Sequence, residues 1–69
     1  MTNSNLLIDK ISASGLKTAY IADKMTISRQ SLANKIKGKT QFTTKEIKSL
    51  CSILDIGTPD ELYEIFFKE

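Results

Sequence analysis

Histidine and tryptophan are absent from this chain of 69 residues, and cysteine occurs once, as Cys51. Without histidine the chain lacks the side chain that most often serves as a general base or as a metal ligand. One cysteine cannot close a disulfide within the chain, and a reactive thiol needs an exposed, electropositive setting and partners that the sequence does not supply. There is also no glycine-rich phosphate loop. We therefore expect a protein that is not an enzyme, with no catalytic residue, no bound metal and no cofactor.

Long apolar runs are missing as well. None approaches the roughly 20 residues of a membrane helix, and the start, MTNSNLLIDKIS, has no basic segment leading into a long apolar one. We expect a cytoplasmic protein with neither a membrane span nor a secretory signal. The apolar fraction of 41% and the charged fraction of 26% are those of a folded protein, and the length indicates one small domain over residues 1–69. So small a core makes stability depend on well-capped helices or on dimerisation.

Apolar residues recur three and four positions apart in five segments, which predicts an all-α fold. The predicted helices cover residues 5–14, 17–25, 29–37, 44–54 and 60–67. Residues suited to capping flank these segments, at Asn3 or Ser4, Gly15, Ser28, Gly38, Thr43 and Thr58. Thr43 and Thr58 each open a capping box, because a glutamate follows three residues later.

The same spacing predicts which side chains face inward. In the first helix these are Leu7 and Ile11, with Leu6 and Ile8 widening the apolar face. The other predicted core positions before the last helix are Thr18, Ile21, Ala22, Met25, Ile27, Leu32, Ile36, Phe42, Ile47, Leu50, Cys51 and Leu54. Ala22 is small where the second and third helices must cross closely, and a larger side chain there should clash.

The last helix, DELYEIFF, has more apolar surface than a small core needs. Leu62, Ile65 and Phe66 form one face, and Tyr63 and Phe67 lie beside it. Two interpretations stay open. Either the helix completes the core, or Tyr63, Phe66 and Phe67 form an interface with a second copy or with a partner protein.

Positive charge is concentrated in the middle of the chain. The net charge is +2, but residues 17–48 carry +6, residues 49–69 carry −4 and residues 1–16 are neutral. The basic residues of the middle part are Lys17, Lys24, Arg29, Lys35, Lys37, Lys39, Lys45 and Lys48. Such asymmetry is typical of a surface that faces phosphates, and a solvated lysine-rich surface is the alternative interpretation.

Residues 17–38, KTAYIADKMTISRQSLANKIKG, read as two short helices joined by a tight turn, with a helix-turn-helix core at about 17–37. This arrangement resembles the five-helix, lambda-repressor-like DNA-binding domains of phage Cro and repressor proteins, in particular the small Cro-like regulators from phages of Gram-positive bacteria. The resemblance covers nearly the whole chain. The residues that carry it are Ile21-Ala22, Met25-Thr26-Ile27-Ser28, Leu32, Lys37-Gly38-Lys39 and Glu64-Ile65-Phe66-Phe67.

The resemblance implies that the third helix enters the major groove of double-stranded operator DNA in the bacterial host cytoplasm, with the protein acting as a homodimer. The base-contacting residues would be Arg29, Gln30, Ala33 and Asn34. Arginine recognises guanine, glutamine and asparagine recognise adenine, and alanine contacts the thymine methyl. The phosphate-contacting residues would be Lys17, Thr18, Ser28, Lys35, Lys37, Lys39, Thr40 and Lys45.

Three residues depart from the family pattern. Thr18 stands where glutamine is frequent, and Lys35 where an aliphatic residue is frequent. Thr26 stands where the turn usually has glycine. Because a β-branched residue is strained at positive φ, we expect this turn to differ in detail.

Three functions fit this scaffold, since a fold does not decide a function. The first is a transcription regulator of the phage lysogeny switch. The second is an antirepressor, a modulator of repression that covers the DNA-reading face of a partner repressor; the modest net charge and the aromatic last helix fit it. The third is an antitoxin, which fits less well because the chain has no long disordered tail.

Overall fold

Five α-helices, α1 to α5, make up the computed structural model of this protein, which describes residues 2–67. Their bounds are α1 Ser4–Ser14, α2 Thr18–Met25, α3 Arg29–Ile36, α4 Thr44–Leu54 and α5 Pro59–Phe66. No strand occurs within residues 2–67, so the all-α prediction is confirmed, and each helix end lies within one residue of its predicted position. None of the helices in this part of the chain combines the length and apolarity that crossing a lipid bilayer requires.

Side-chain caps hold the starts of four helices. Asn3, Ser28, Thr43 and Thr58 each accept a backbone N–H from the first turn of the helix that follows, at 3.0 to 3.2 Å. At Thr43 the capping box is complete, because the Thr43 N–H donates to Glu46 Oε1 at 2.8 Å. Each such cap is worth about 1 kcal/mol. Caps matter here because helices of eight to eleven residues are too short to persist alone.

The second predicted capping box forms only in part. Thr58 Oγ1 accepts the Glu61 N–H as expected. The Glu61 carboxylate, however, forms an ion pair with Lys10 of α1 and lies 3.5 Å from the Thr58 hydroxyl. The glutamate therefore links α5 to α1 in place of closing the box.

Left-handed residues end three of the helices. Gly15 (φ 72°) follows α1 as predicted, and Asp55 (φ 56°) follows α4. Thr26 follows α2 with φ 61° and ψ 39°, so the expectation that this turn would differ in detail is wrong. The Thr26 N–H donates to the Asp23 carbonyl, and the Ile27 N–H donates to the Ala22 carbonyl. The turn thus keeps the left-handed geometry, and a β-branched residue carries the strain.

The core lies where all five helices meet. Its buried members are Leu7, Ile21, Ala22, Leu32, Ile36, Phe42, Leu50, Leu54, Ile56, Ile65 and Phe66. Phe42, from the loop after α3, meets Phe66 of α5 edge to face, with ring centroids 5.6 Å apart. Half-buried apolar side chains pack around this cluster, among them Met25, Ile27 and Cys51.

Four residues differ from their predicted placement. Thr18 is exposed because it opens α2 and lies beyond the edge of the core, and the exposed Leu6 and Ile8 flank the buried Leu7, a third of a turn to either side. Phe66 is only 3% exposed and lies in the core, as one of the two interpretations left open for α5 placed it, and not at an exposed interface. Ile56 was not predicted to be buried, since it follows α4 outside any helical repeat, yet it is 8% exposed.

Polar contacts fasten the first turn of α1 to the other helices. The Asn3 N–H donates to the Ile65 carbonyl of α5. The Ser4 hydroxyl donates to the carbonyl of Ile36, the last residue of α3. The Ser4 hydrogen bond thus connects the start of α1 to the end of α3.

We predict that Thr26→Gly raises the free energy of unfolding by about 0.5–1 kcal/mol. Glycine removes the left-handed strain of about 1–2 kcal/mol but loses more chain entropy on folding. The exposed Thr26 side chain gives up little packing. Asp55→Gly is the matched control at another left-handed helix end and should gain less, because aspartate tolerates this conformation better. Urea denaturation measures both, and a Thr26→Gly gain no larger than that of Asp55→Gly would contradict the strain.

Candidate nucleic-acid interface

The outward side of α3 brings together the four predicted base-contacting residues. Arg29 and Gln30 are exposed, while Ala33 and Asn34 are half-buried. Positions 29, 30, 33 and 34 share one side of a helix because they are spaced by one and four residues. Leu32 and Ile36, which are 0% and 8% exposed, hold the neighbouring side of the helix in the core, so Gln30 and Asn34 point furthest from it, and Arg29 is exposed in the first turn.

The amide side chains on this surface are connected to each other. Gln30 Nε2 donates to Asn34 Oδ1 at 3.1 Å, one turn along the helix. This hydrogen bond orders both amides without using all of their donors and acceptors. Arg29, by contrast, has no ion-pair partner within residues 2–67. The surface therefore offers a free guanidinium next to two oriented amides.

Four exposed lysines flank α3 along the chain. Lys17 precedes α2, Lys37 and Lys39 follow α3, and Lys45 lies in the first turn of α4. None of these four has an ion-pair partner in the part of the chain that the structure describes. Thr18, Ser28 and Thr40 are exposed next to them. Seven of the eight predicted phosphate-contacting residues are therefore accessible at the surface.

The loop after α3 folds back onto the end of that helix. The Asn34 carbonyl accepts the N–H groups of Lys39 at 2.9 Å and of Thr40 at 3.5 Å. Gly38 makes the return with φ 84°, as predicted from its place after the helix. The backbone of Asn34 thus holds the loop while its side chain faces outward.

Lys35 is the one predicted phosphate-contacting residue whose ammonium already has partners. Its Nζ lies 3.0 Å from the Gln41 carbonyl and 3.1 Å from Glu46 Oε1. The Lys35 side chain is half-buried between α3, the loop and the start of α4. Its assignment as a phosphate contact stays a prediction, but in this structure its ammonium is engaged within the fold. The sequence signal for this placement was a lysine at a position where an aliphatic residue is frequent in the family that the chain resembles.

Glu46 has a lowered pKa, below the ordinary value of 4.5. The largest cause is the hydrogen bond from the Thr43 backbone, and Lys35 adds to it, while burial opposes both. Lys10 similarly lowers the pKa of Glu61. Both glutamates are therefore held as carboxylates that join two parts of the fold.

Tyr20 of α2 is an exposed aromatic residue that the sequence analysis did not assign to any surface. Its side chain is 47% exposed, and Lys24 Nζ lies 5.6 Å from the centre of its ring. The available signal was an aromatic residue directly before the buried Ile21, outside the apolar spacing of α2.

The end of α5 exposes two aromatic side chains in the acidic part of the chain. Tyr63 and Phe67 of the last turns are 56% and 51% exposed, in contrast to the buried Phe66. Phe67 and the half-buried Cys51 line a groove of about 420 Å³ between α4 and α5. Burial raises the pKa of the Cys51 thiol, which fits the expected packing role.

Comparison with known protein families, with curated proteins and with solved structures finds no match to this chain. Within residues 2–67, no three cysteine or carboxylate side chains converge in an arrangement that could hold a metal ion. The arguments below rest on the side chains and contacts described above.

We predict that acid destabilises the fold partly through Glu46. Its pKa is lower in the folded chain than in the unfolded chain, so the carboxylate stabilises the fold above about pH 4.5, and this contribution disappears as the pH falls through the folded pKa. Glu46→Gln keeps an oxygen for the capping box but does not titrate. Its free energy of unfolding should therefore fall less between about pH 6 and about pH 3 than that of the unmodified protein.

Urea denaturation at each pH measures this difference. Asp23→Asn, which changes an exposed carboxylate of α2 without an ion pair, is the control and should leave the slope of the profile close to that of the unmodified protein. A Glu46→Gln profile as steep as the unmodified one would contradict the role of Glu46.

Proposed function

We propose that this protein is a small phage-type transcription regulator of the Cro kind, a lambda-repressor-like helix-turn-helix domain that binds operator DNA through α3. The observation that carries the proposal is the two-sided character of α3. Leu32 and Ile36 hold one side in the core, Gln30 and Asn34 lie on the side away from it, and Arg29 is exposed in the first turn. A helix anchored in this way can enter the major groove as a rigid unit.

The chemistry of the outward side suits base edges. Arg29 can donate two hydrogen bonds to O6 and N7 of guanine, and Gln30 or Asn34 can pair with N6 and N7 of adenine. The hydrogen bond between Gln30 and Asn34 reduces the freedom that both amides would lose on binding. Ala33 offers a methyl group of the size that contacts thymine.

Phosphate contacts are supported by the start of α2. Four helices have a side-chain cap, whereas Lys17 gives α2 none. The first N–H groups of α2 therefore remain open to an anion, with Lys17 and Thr18 exposed beside them. Lys37, Lys39, Thr40, Ser28 and Lys45 would continue the phosphate contacts along the backbone.

A homodimer is part of the proposal, because a two-fold operator needs two reading helices. Tyr63 and Phe67 are the exposed aromatic residues of α5 that a second copy could cover. Residues 49–69 carry a net charge of −4, which disfavours phosphate contacts by this part of the chain.

A second candidate function rests on the same aromatic end. An antirepressor would bind the DNA-reading face of a partner repressor, which is basic, and would need apolar and acidic groups exposed together. Tyr63 and Phe67 stand next to the acidic residues of α5 and supply both. We rank this function second because it leaves the outward side chains of α3 without a role.

We predict that Arg29→Ala and Lys39→Ala weaken DNA binding in different ways. Arg29→Ala should cost about 1–3 kcal/mol on a duplex that the protein selects from a random library, and should relax the preference at one base pair. Lys39→Ala should weaken selected and random duplexes alike and lower the salt slope of binding by about 0.9. Lys24→Ala, a lysine outside the proposed contacts, is the control. Equal losses for Arg29→Ala and Lys39→Ala on both duplexes would contradict the base-reading assignment.

A mobility shift separates the two candidate functions. The probe is DNA of the lysogeny switch, tested with this protein alone and with the partner repressor. A regulator shifts the DNA alone, and Arg29→Ala abolishes the sequence preference. An antirepressor gives no shift alone and removes the repressor's shift on mixing, and Tyr63→Ser with Phe67→Ser should restore it.

A further inference from the structure

Lys35 differs from the other lysines near α3. Its side chain is only 12% exposed, whereas Lys37, Lys39 and Lys45 are exposed at the surface. Holding an ammonium in this position requires compensating partners. The Gln41 carbonyl and the Glu46 carboxylate supply them, at 3.0 and 3.1 Å.

Glu46 connects the Lys35 ammonium to the backbone of Thr43. Its Oε1 atom accepts the Thr43 N–H at 2.8 Å and also faces the Lys35 ammonium. One carboxylate therefore joins the end of α3, the end of the loop and the first turn of α4. The Glu46 side chain is 19% exposed, so water weakens the ion pair less than at an open surface.

The loop between α3 and α4 has few other restraints. Lys39, Thr40 and Gln41 are exposed, and only Phe42 is buried. The Asn34 carbonyl holds the first part of the loop, and Lys35 Nζ holds the Gln41 carbonyl at its far part. Asn34 and Lys35, two consecutive residues of α3, therefore set the path of the segment that carries Lys39 and Thr40.

We infer that Lys35, held by Glu46, is a positioning residue that orders the loop after α3 for contact with DNA phosphates. The inference rests on the proposed function, which makes Lys39 and Thr40 phosphate contacts. A loop that is already ordered loses less conformational entropy when its side chains bind. Lys35 therefore strengthens binding through the loop and not through a phosphate contact of its own.

Three variants test this inference. Lys35→Met keeps most of the aliphatic stem and removes the ammonium. Glu46→Gln keeps an oxygen for the Thr43 N–H and removes the charge that holds Lys35. Lys37→Met removes an exposed lysine at the end of the same helix and serves as the control for direct phosphate contact.

Glu46→Gln gives the sharpest contrast between explanations. Removing a negative charge beside DNA should tighten binding if charge alone matters. If Glu46 positions the loop through Lys35, the same change should weaken binding by about three- to tenfold on selected and random duplexes. Lys35→Met should give a similar loss, and the double variant should be little weaker than either single one, because both act on one contact.

The salt dependence of binding separates positioning from phosphate contact. Lys37→Met should lower the salt slope by about 0.9, as the loss of one phosphate contact does. Lys35→Met should keep the slope of the unmodified protein, because the same lysines reach the phosphates in the complex. The inference would be overturned if Lys35→Met lowered the salt slope as much as Lys37→Met does. It would also be overturned if Glu46→Gln bound DNA more tightly than the unmodified protein.

Hydrogen exchange without DNA tests the loop itself. The N–H groups of Lys39, Thr40 and Thr43 should exchange several-fold faster in Lys35→Met and in Glu46→Gln. Those of α1 and α5 should be unchanged, and those of Lys37→Met should match the unmodified protein. Unchanged loop exchange in both variants overturns the inference.

The proposed function and the inference fail in different ways. If the unmodified protein binds no duplex, the proposed function is overturned. If the unmodified protein binds and Lys35→Met behaves like Lys37→Met, the inference alone is overturned.

Discussion

The burial of Leu32 is the constraint on which the rest of this molecule depends. It is fully buried, at the centre of a helix of eight residues that could not persist by itself. Together with Ile36 it fixes the rotation of α3 about its own axis. Once that rotation is set, Gln30 and Asn34, each two positions from Leu32, must point away from the core, whereas Arg29 is exposed because it opens the helix. The candidate reading surface is thus a consequence of core packing.

The charges of the protein fall into two groups with different uses. Lys35 and Lys10 pair with glutamates and connect neighbouring elements of the fold. The lysines around α3 that lack such pairs, Lys37 and Lys39 among them, lie on the surface that we assign to phosphate. A count of positive charge along the sequence cannot separate these groups, because pairing is decided by the fold. Lys35 and Glu46 cancel within residues 17–48, so the net charge of +6 there comes from the other charged residues.

The helices were predicted well from local signals, whereas features that depend on long-range contacts could not be predicted. Ser28 and Thr43 mark helix starts through bonds to residues three positions away, so the sequence alone shows them. Thr18 was misjudged, and Phe66 was left open between core and interface, because helical spacing gives a direction but not the edge of the core. The contact of Lys35 with Glu46 spans eleven positions and depends on how α3 and α4 pack, which no local pattern records. The fold class was therefore predictable, whereas the partners of its charged residues were not.

Thr26 shows that packing also overrides local preference in the turn before α3. A threonine favours extended backbone, yet here it is left-handed. Its neighbours leave no alternative: Ala22 is buried below the turn, and its carbonyl accepts the Ile27 N–H at 3.0 Å. Ile27 packs against the core as the next residue along. Moving Thr26 to a relaxed conformation would withdraw Ile27 and tilt α3 relative to α2. The placement of α3 relative to α2, and with it the placement of Arg29, therefore depends on this strained turn.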